Sequence, residues 1–287
     1  MAVTLDAALL DRYSRVSLYN SPYAAHDAGA AVDCYPAVAV DGDDDRDPAD
    51  GGPAPSPVAG DVLDTRTVDA PSKPYAVAQD HLILVDTGEY VARILHVDPA
   101  VAAGDRIAAG DRLGRLIRSG FFAPWVDDHL HLGVRPPDAD HYRASGSLPL
   151  EFGIDVTPVE WDGTGTVVGT GATYAVLDAP AHPDPGTVAG VAATVGGREC
   201  ALDGGLPHYE GGGVLGGSAG PVEFLDRRVG TSDGRTVAWD DVTVRADGES
   251  ITGLSLFCGR DSLGVKLVCP DHGFAVGDEV AVAVARG

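Results

Sequence analysis

A chain of 287 residues, 44% of them hydrophobic, is long enough to build two cores. Twenty basic residues stand against 43 acidic ones, a formal charge of −23, and only Lys73 and Lys266 are lysines. Such a surface repels nucleic acid phosphates and anionic lipid, which argues against both as partners. An acidic excess with few lysines suits concentrated salt, where screening relieves self-repulsion, so a halophilic, cytoplasmic protein is expected.

Residues 1–18 carry Asp6, Arg12 and Arg15 at intervals, with no twin-arginine pair and no small-residue cleavage site. Nowhere do about 18 apolar residues run together, so no membrane span is expected. Ala2–Tyr13 predicts one short helix with Leu5, Leu9 and Leu10 on one side. Short β-type runs follow at Tyr35–Val40, Pro57–Val62, His81–Val85, Tyr90–Val97 and His129–Val134. The acidic, proline-rich segment Asp41–Pro57 imitates a calcium loop with Asp41, Asp43 and Asp45. Gly52 stands where that loop needs a glutamate, so a solvated loop is expected.

From about Trp161 the texture changes to glycine-punctuated strands, at Thr164–Val168, Thr173–Val176, Thr236–Trp239, Val242–Val244, Val265–Val268 and Val280–Val284. A boundary near Pro158–Gly165 gives two mainly β domains. Residues 1–160 form an antiparallel β-sheet or sandwich hybrid with its short N-terminal helix, and 161–287 an all-β barrel or sandwich.

The strongest chemical signal is Asp128-His129-Leu130-His131-Leu132-Gly133-Val134. On a strand His129 and His131 share one face, while Leu130, Leu132 and Val134 turn to the other. Upstream, His26 and Asp33 are seven apart, a spacing that an unbroken strand would send to opposite faces; Gly29 between them can bend the chain and bring both to one place. Imidazole and carboxylate are both zinc ligands, and three protein ligands plus water is the catalytic rather than the closed structural arrangement.

His26-x-x-Gly29-x-Ala31-x-Asp33 resembles the first metal motif of the D-Ala-D-Ala metallopeptidase and hedgehog group, and His129-x-His131 the closing motif of lysostaphin and LytM-type endopeptidases. The lysostaphin type usually has three residues between the first two ligands; here there are six. Ser56–Val62, the hairpin His81–Pro99 and the paired glycines of Gly104–Gly114 follow in the order of that family, over about residues 20–136. The resemblance implies a metallopeptidase-like N-terminal domain with zinc on His26, Asp33 and His131. It implies His96 and His129 near the metal-bound water and the developing oxyanion. The family's short glycine/serine/threonine run before H-x-H is replaced by Phe121–Asp128, which can reshape or cover the cleft.

Other candidates carry less. His81 and His141 read as solvent-facing and loop residues, and His208 has no assignable chemistry. Cys269-Pro-Asp-His272 has a ligand-like spacing, yet a closed site needs four ligands and no C-x-x-C pair exists. Cys34, Cys200, Cys258 and Cys269 are expected as free, buried thiols. No nucleophile elbow or phosphate-binding glycine loop stands out. The function expected is a zinc-dependent hydrolase acting on a peptide or amide bond of a peptide-like or small-molecule substrate. The alternative is a non-catalytic binding or regulatory protein on the same scaffold. A lipoyl- or biotinyl-type carrier is rejected, because Lys73 lacks the methionine neighbours of a modifiable lysine.

Overall fold

Strands take 49% of the chain and helices 3%, so the interior is built by side chains alternating across sheets. The computed structural model describes residues 2–36, 49 and 51–287; the end of the expected strand Tyr35–Val40 and the alternating aspartates from Asp41 lie outside the described residues. Contacts divide the described residues into two compact units, 2–13, 30–36, 49 and 51–153 in one, 14–29 and 154–287 in the other. No helix among the described residues is long and apolar enough to cross a membrane.

The first unit is organised on six strands: β1 (Ala31–Tyr35), β2 (Gly60–Asp69), β3 (Gln79–Asp86), β4 (Val91–Leu95), β5 (Arg106–Ile107) and β6 (Leu130–Arg135). They pair antiparallel in the order β1-β6-β4-β3-β2-β5. On one face Val32, Cys34, Ile83, Val85, Ile94, Leu130, Leu132 and Val134 are wholly buried. The other face brings Asp33 opposite His131, and His131 opposite Leu95. The parity expected of the H-x-H strand therefore holds, because every register pair keeps odd residues of β6 on this second face.

The sequence expectation differs from the structure at two places. The helix expected over Ala2–Tyr13 is a strand, Val3–Leu5, followed by a single turn, Ala7–Leu10. β-branched Val3 and Thr4 pair in parallel with Leu150–Phe152, and the Asp6 carboxylate then caps the turn by accepting from the Leu9 N–H at 2.8 Å. Within the expected loop, Pro53–Pro55 forms an edge strand on Arg112–Leu116. Its prolines cost nothing there, since an edge strand leaves one row of N–H positions unused.

In the second unit six strands close on themselves: β7 (Ala189–Val195), β8 (Arg198–Leu206), β9 (Gly211–Leu215), β10 (Ala219–Phe224), β11 (Arg227–Asp233) and β12 (Thr236–Trp239). The antiparallel ring runs β7-β8-β9-β12-β11-β10 and returns to β7, where Val195 faces Val222. Each strand sends a buried apolar side chain into one core: Val195, Leu202, Val214, Val222, Val229 and Val237. The strand Glu279–Arg286 adds Val280, Val282 and Val284 by strict alternation. All four cysteines are free and buried.

Candidate metal centre

Asp33 lies at the middle of β1, and the register of β6 sets His131 opposite it. His131 Nδ1 is 3.0 Å from Asp33 Oδ1, and His129 Nε2 is 3.4 Å from the same oxygen. His26 comes from the short helix Ala24–Asp27, which ends at Gly29 with φ +56°, a left-handed turn that a side chain adopts only under strain. His26, Asp33 and His131 each offer one ligand atom, and these atoms all lie within 4.8 Å of one another. That group could hold a metal ion.

The ring nitrogens of the surrounding histidines are set by their acceptors. His26 Nδ1 lies 2.8 Å from the Leu18 carbonyl, and His129 Nδ1 lies 2.9 Å from the Asp127 carbonyl. A carbonyl oxygen only accepts, so each Nδ1 carries the proton and each Nε2 keeps its lone pair. Ligating histidines are held in this way, the second nitrogen donating to a carbonyl or carboxylate. The Cys34 thiol, next to Asp33 in β1 and on the apolar face, is pushed well up in pKa by burial and then by the Asp33 charge.

His96 separates β4 from the strand Val97–Pro99, with φ +70°. The resemblance expects it near the metal-bound water; the structure shows what holds it where the strand breaks. Asp80, on β3 and fully buried, takes the His96 N–H at 2.9 Å and lies 2.5 Å from His96 Nδ1. The Ser119 hydroxyl and the His81 N–H also donate to Asp80. Burial alone would raise its pKa. The His96 imidazole, its hydrogen bond, Ser119 and His81 outweigh that and hold the carboxyl well below the usual carboxylate range. An ionised Asp80 fixes the proton on His96 Nδ1 and leaves Nε2 as an acceptor.

The His96 ring lies 5.3 Å from that of His129 and 5.8 Å from that of His131, edge to face in both cases. Phe122 stacks on His129 at 4.4 Å and meets His96 edge-on at 4.7 Å, and Phe121 lies 6.2 Å from His96. Tyr35 tilts against His129 at 4.9 Å. The aromatic segment that replaces the family's small-residue run thus packs directly on two of the five residues singled out from the sequence. His96 and His129 are 6% and 3% exposed, so both are shielded from bulk water.

Sequence reasoning passed over Asp80 and Ser119. A lone acidic residue opening an otherwise apolar strand was the available signal for Asp80; Ser119 left none. His141 Nε2 donates to the Pro136 carbonyl of its own loop. His272 Nε2 contacts the Gly171 and Tyr174 carbonyls, and burial lowers the His208 pKa to about 4.

With this geometry in hand, comparison with known proteins gives a family. Residues 4–152 match the N-terminal domain and residues 157–285 the C-terminal domain of a domain of unknown function, DUF8155. The chain belongs to the DUF8155 family. Both halves of the DUF8155 architecture are present in it, in order. No curated protein matches the chain. Two solved structures show a remote likeness, each 14% identical with a TM-score of 0.28. One is the solution structure of lysostaphin, matched over 92% of this chain and 100% of its own. The other is the antimicrobial peptidase lysostaphin from Staphylococcus simulans, over 99% and 100%. At that score the likeness carries no argument about activity.

Proposed function

We propose that this DUF8155 protein is a zinc-dependent hydrolase acting on a peptide or amide bond, with His26, Asp33 and His131 as ligands. The observation that carries this reading is the meeting of one carboxylate and two imidazoles within 4.8 Å, beside two further imidazoles with assigned tautomers. Two nitrogens and one oxygen form a donor set that zinc accepts, and three protein ligands leave a position for water. A zinc ion so held lowers the pKa of bound water toward about 7 and polarises a carbonyl.

The remaining steps belong to the chain's own residues. His129 Nε2, already 3.4 Å from the Asp33 carboxylate, is placed to take a proton. His96 Nε2, turned from Asp80, is placed to hold or deliver one on the other side. Phe122, against both rings, excludes water from them and strengthens their electrostatic effect. Asp80 is a positioning residue: it acts through His96. A peptide-like or small-molecule substrate, not nucleic acid or a membrane surface, fits the acidic charge of the chain.

The test is metal content, then turnover. Protein purified in high salt is expected to carry close to one zinc per chain, and Asp33→Asn and His131→Ala to lose it. Absence of bound metal in every buffer tried would overturn the proposal. The packing of Phe122 on His96 and His129 favours a second reading, a metal-holding protein without turnover. That reading wins if zinc binds and His96→Ala and His129→Ala leave hydrolysis of a broad peptide panel unchanged.

A further inference from the structure

The face of the six-stranded sheet that carries His131 continues past it. One register pair along β4 and β6, Gly133 stands opposite Arg93, and one pair further Arg135 stands opposite Val91. Both arginines are buried, 7% and 1% exposed, in a chain with more than twice as many acidic as basic residues. Neither guanidinium has a carboxylate within ion-pair distance among the described residues. Arg135 instead donates to the loop that follows β6, to the carbonyls of Asp140, Arg143 and Ser145.

Arg93 is treated differently. Its Nε donates to the His141 carbonyl at 2.7 Å, and its two terminal nitrogens make no hydrogen bond among the described residues. Burial, with the Arg135 charge second, lowers its pKa to about 10, so the group remains a cation at neutral pH. Opposite it, Gly133 leaves its place in the row between His131 and Arg135 to the Ser147 hydroxyl. A Cβ there would come within 3.0 Å of the Ser147 hydroxyl. That hydroxyl makes no hydrogen bond among the described residues. An unspent guanidinium fork and an unspent hydroxyl therefore share the sheet face with His131, one register step away, or roughly 7 Å along the strand.

We infer that Arg93 and Ser147 form a subsite for a carboxylate carried by the substrate, next to the metal centre. A planar fork with two free nitrogens suits two carboxylate oxygens, and the Ser147 hydroxyl over Gly133 adds a donor beside it. The Arg135 charge reinforces the attraction without touching the ligand, since its two terminal nitrogens are spent on the loop. The subsite rests on the metal reading for its role in turnover, though not for binding itself. It narrows the proposed substrate to one bearing an acid group about one residue from the attacked bond.

The probe is N-acetylglycine against its neutral amide, N-acetylglycinamide, titrated into the full chain stripped of metal at constant high salt. The acid is expected to shift the Arg93 side-chain Nε–H resonance and to bind about tenfold tighter than the amide, the worth of one charge-assisted pair. Arg93→Gln is expected to abolish that difference. Ser147→Ala, a half-buried loop position whose loss does not threaten folding, is expected to weaken the acid several-fold and leave the amide unchanged. Equal binding of acid and amide, no binding of either, or a full preference kept in Ser147→Ala would overturn the subsite. Zinc titration of the same sample reads the metal centre separately. An acid preference without zinc binding retires the hydrolase while the anion site stands, and zinc binding without an acid preference does the reverse.

Discussion

The two units use the same strand alternation for opposite purposes. In the closed ring β7–β12 the inward positions are mostly valines and leucines, and Asp203 is its one buried carboxylate among the described residues. In the sheet β1–β6 one face is equally apolar, but the other gathers Asp33, His131, Arg93 and Arg135, with Asp80 and His96 at its margin. An interior of hydrocarbon is indifferent to pH and to metal. An interior of paired ionisable groups responds to both, because every such group must keep its partner or lose its charge.

The largest effect concerns the exception in the second unit. Asp203 is fully buried and takes hydrogen bonds from the Ser17 hydroxyl and the Leu18 and Tyr19 N–H groups. Burial nevertheless raises its pKa from 3.8 to about 7. Between pH 4 and 7 the unfolded chain has released this proton while the folded chain keeps it. Stability of this unit therefore falls as pH rises through that window, by about 4 kcal/mol in all, and levels off above it. Hydrogen exchange of Arg198–Leu206, followed from pH 4 to 8 at fixed high salt, should show this slope, and Asp203→Asn should flatten it. A flat profile in the unaltered protein would remove Asp203 as the exception.

Next in size is a cavity. Leu202→Ala in the ring should cost about 3 kcal/mol in denaturant unfolding and leave metal content untouched. Loss of metal in that variant would break the contrast between the ring and the sheet.

Asp80→Asn should cost the first unit about 2 kcal/mol, since an amide cannot accept from His96, Ser119 and the two backbone N–H groups at once. The acid response of Asp80 has the opposite sign to that of Asp203. Its folded pKa is depressed, so its stabilisation is complete above the ordinary carboxylate range and is lost as pH falls below it. Acidification to pH 3 should thus open Gln79–Asp86 to exchange before Arg198–Leu206. The reverse order would contradict both assignments.

The smallest effect on stability should come from His131→Ala, less than about 1 kcal/mol, because that ring is partly exposed. Its metal content should fall furthest, which separates holding the fold from holding the ion.

Much of the pattern was legible. Leu130, Leu132 and Val134 announce a buried face by alternation, and the register then obliges His131 to the other. Gly29 announces a turn, and it is one. The paired Gly104 and Gly110 head two copies of the same turn, in which Asp105 and Asp111 accept from Ala102 and Ala108; Asp278 repeats it with Ala275. Asp80, Ser119 and Arg93 were not legible in the same way. Each matters through a partner 16 or more residues away, and spacing along one chain carries no record of such pairings. The helix over Ala2–Tyr13 failed for a related reason: the strand Val3–Leu5 exists because Leu150–Phe152 lies beside it.

The left-handed backbone at His96 has a consequence for how this sequence can drift. A glycine there would relieve a torsional cost of about 1 kcal/mol, so stability alone favours losing the histidine. The same change would strip a buried carboxylate of its closest partner, and losing Asp80 first would leave the strained histidine with nothing to hold it. Each residue blocks the other's departure. Mutational paths away from this arrangement must shed both in close succession, and a double-mutant cycle across Asp80 and His96 should show strong positive coupling.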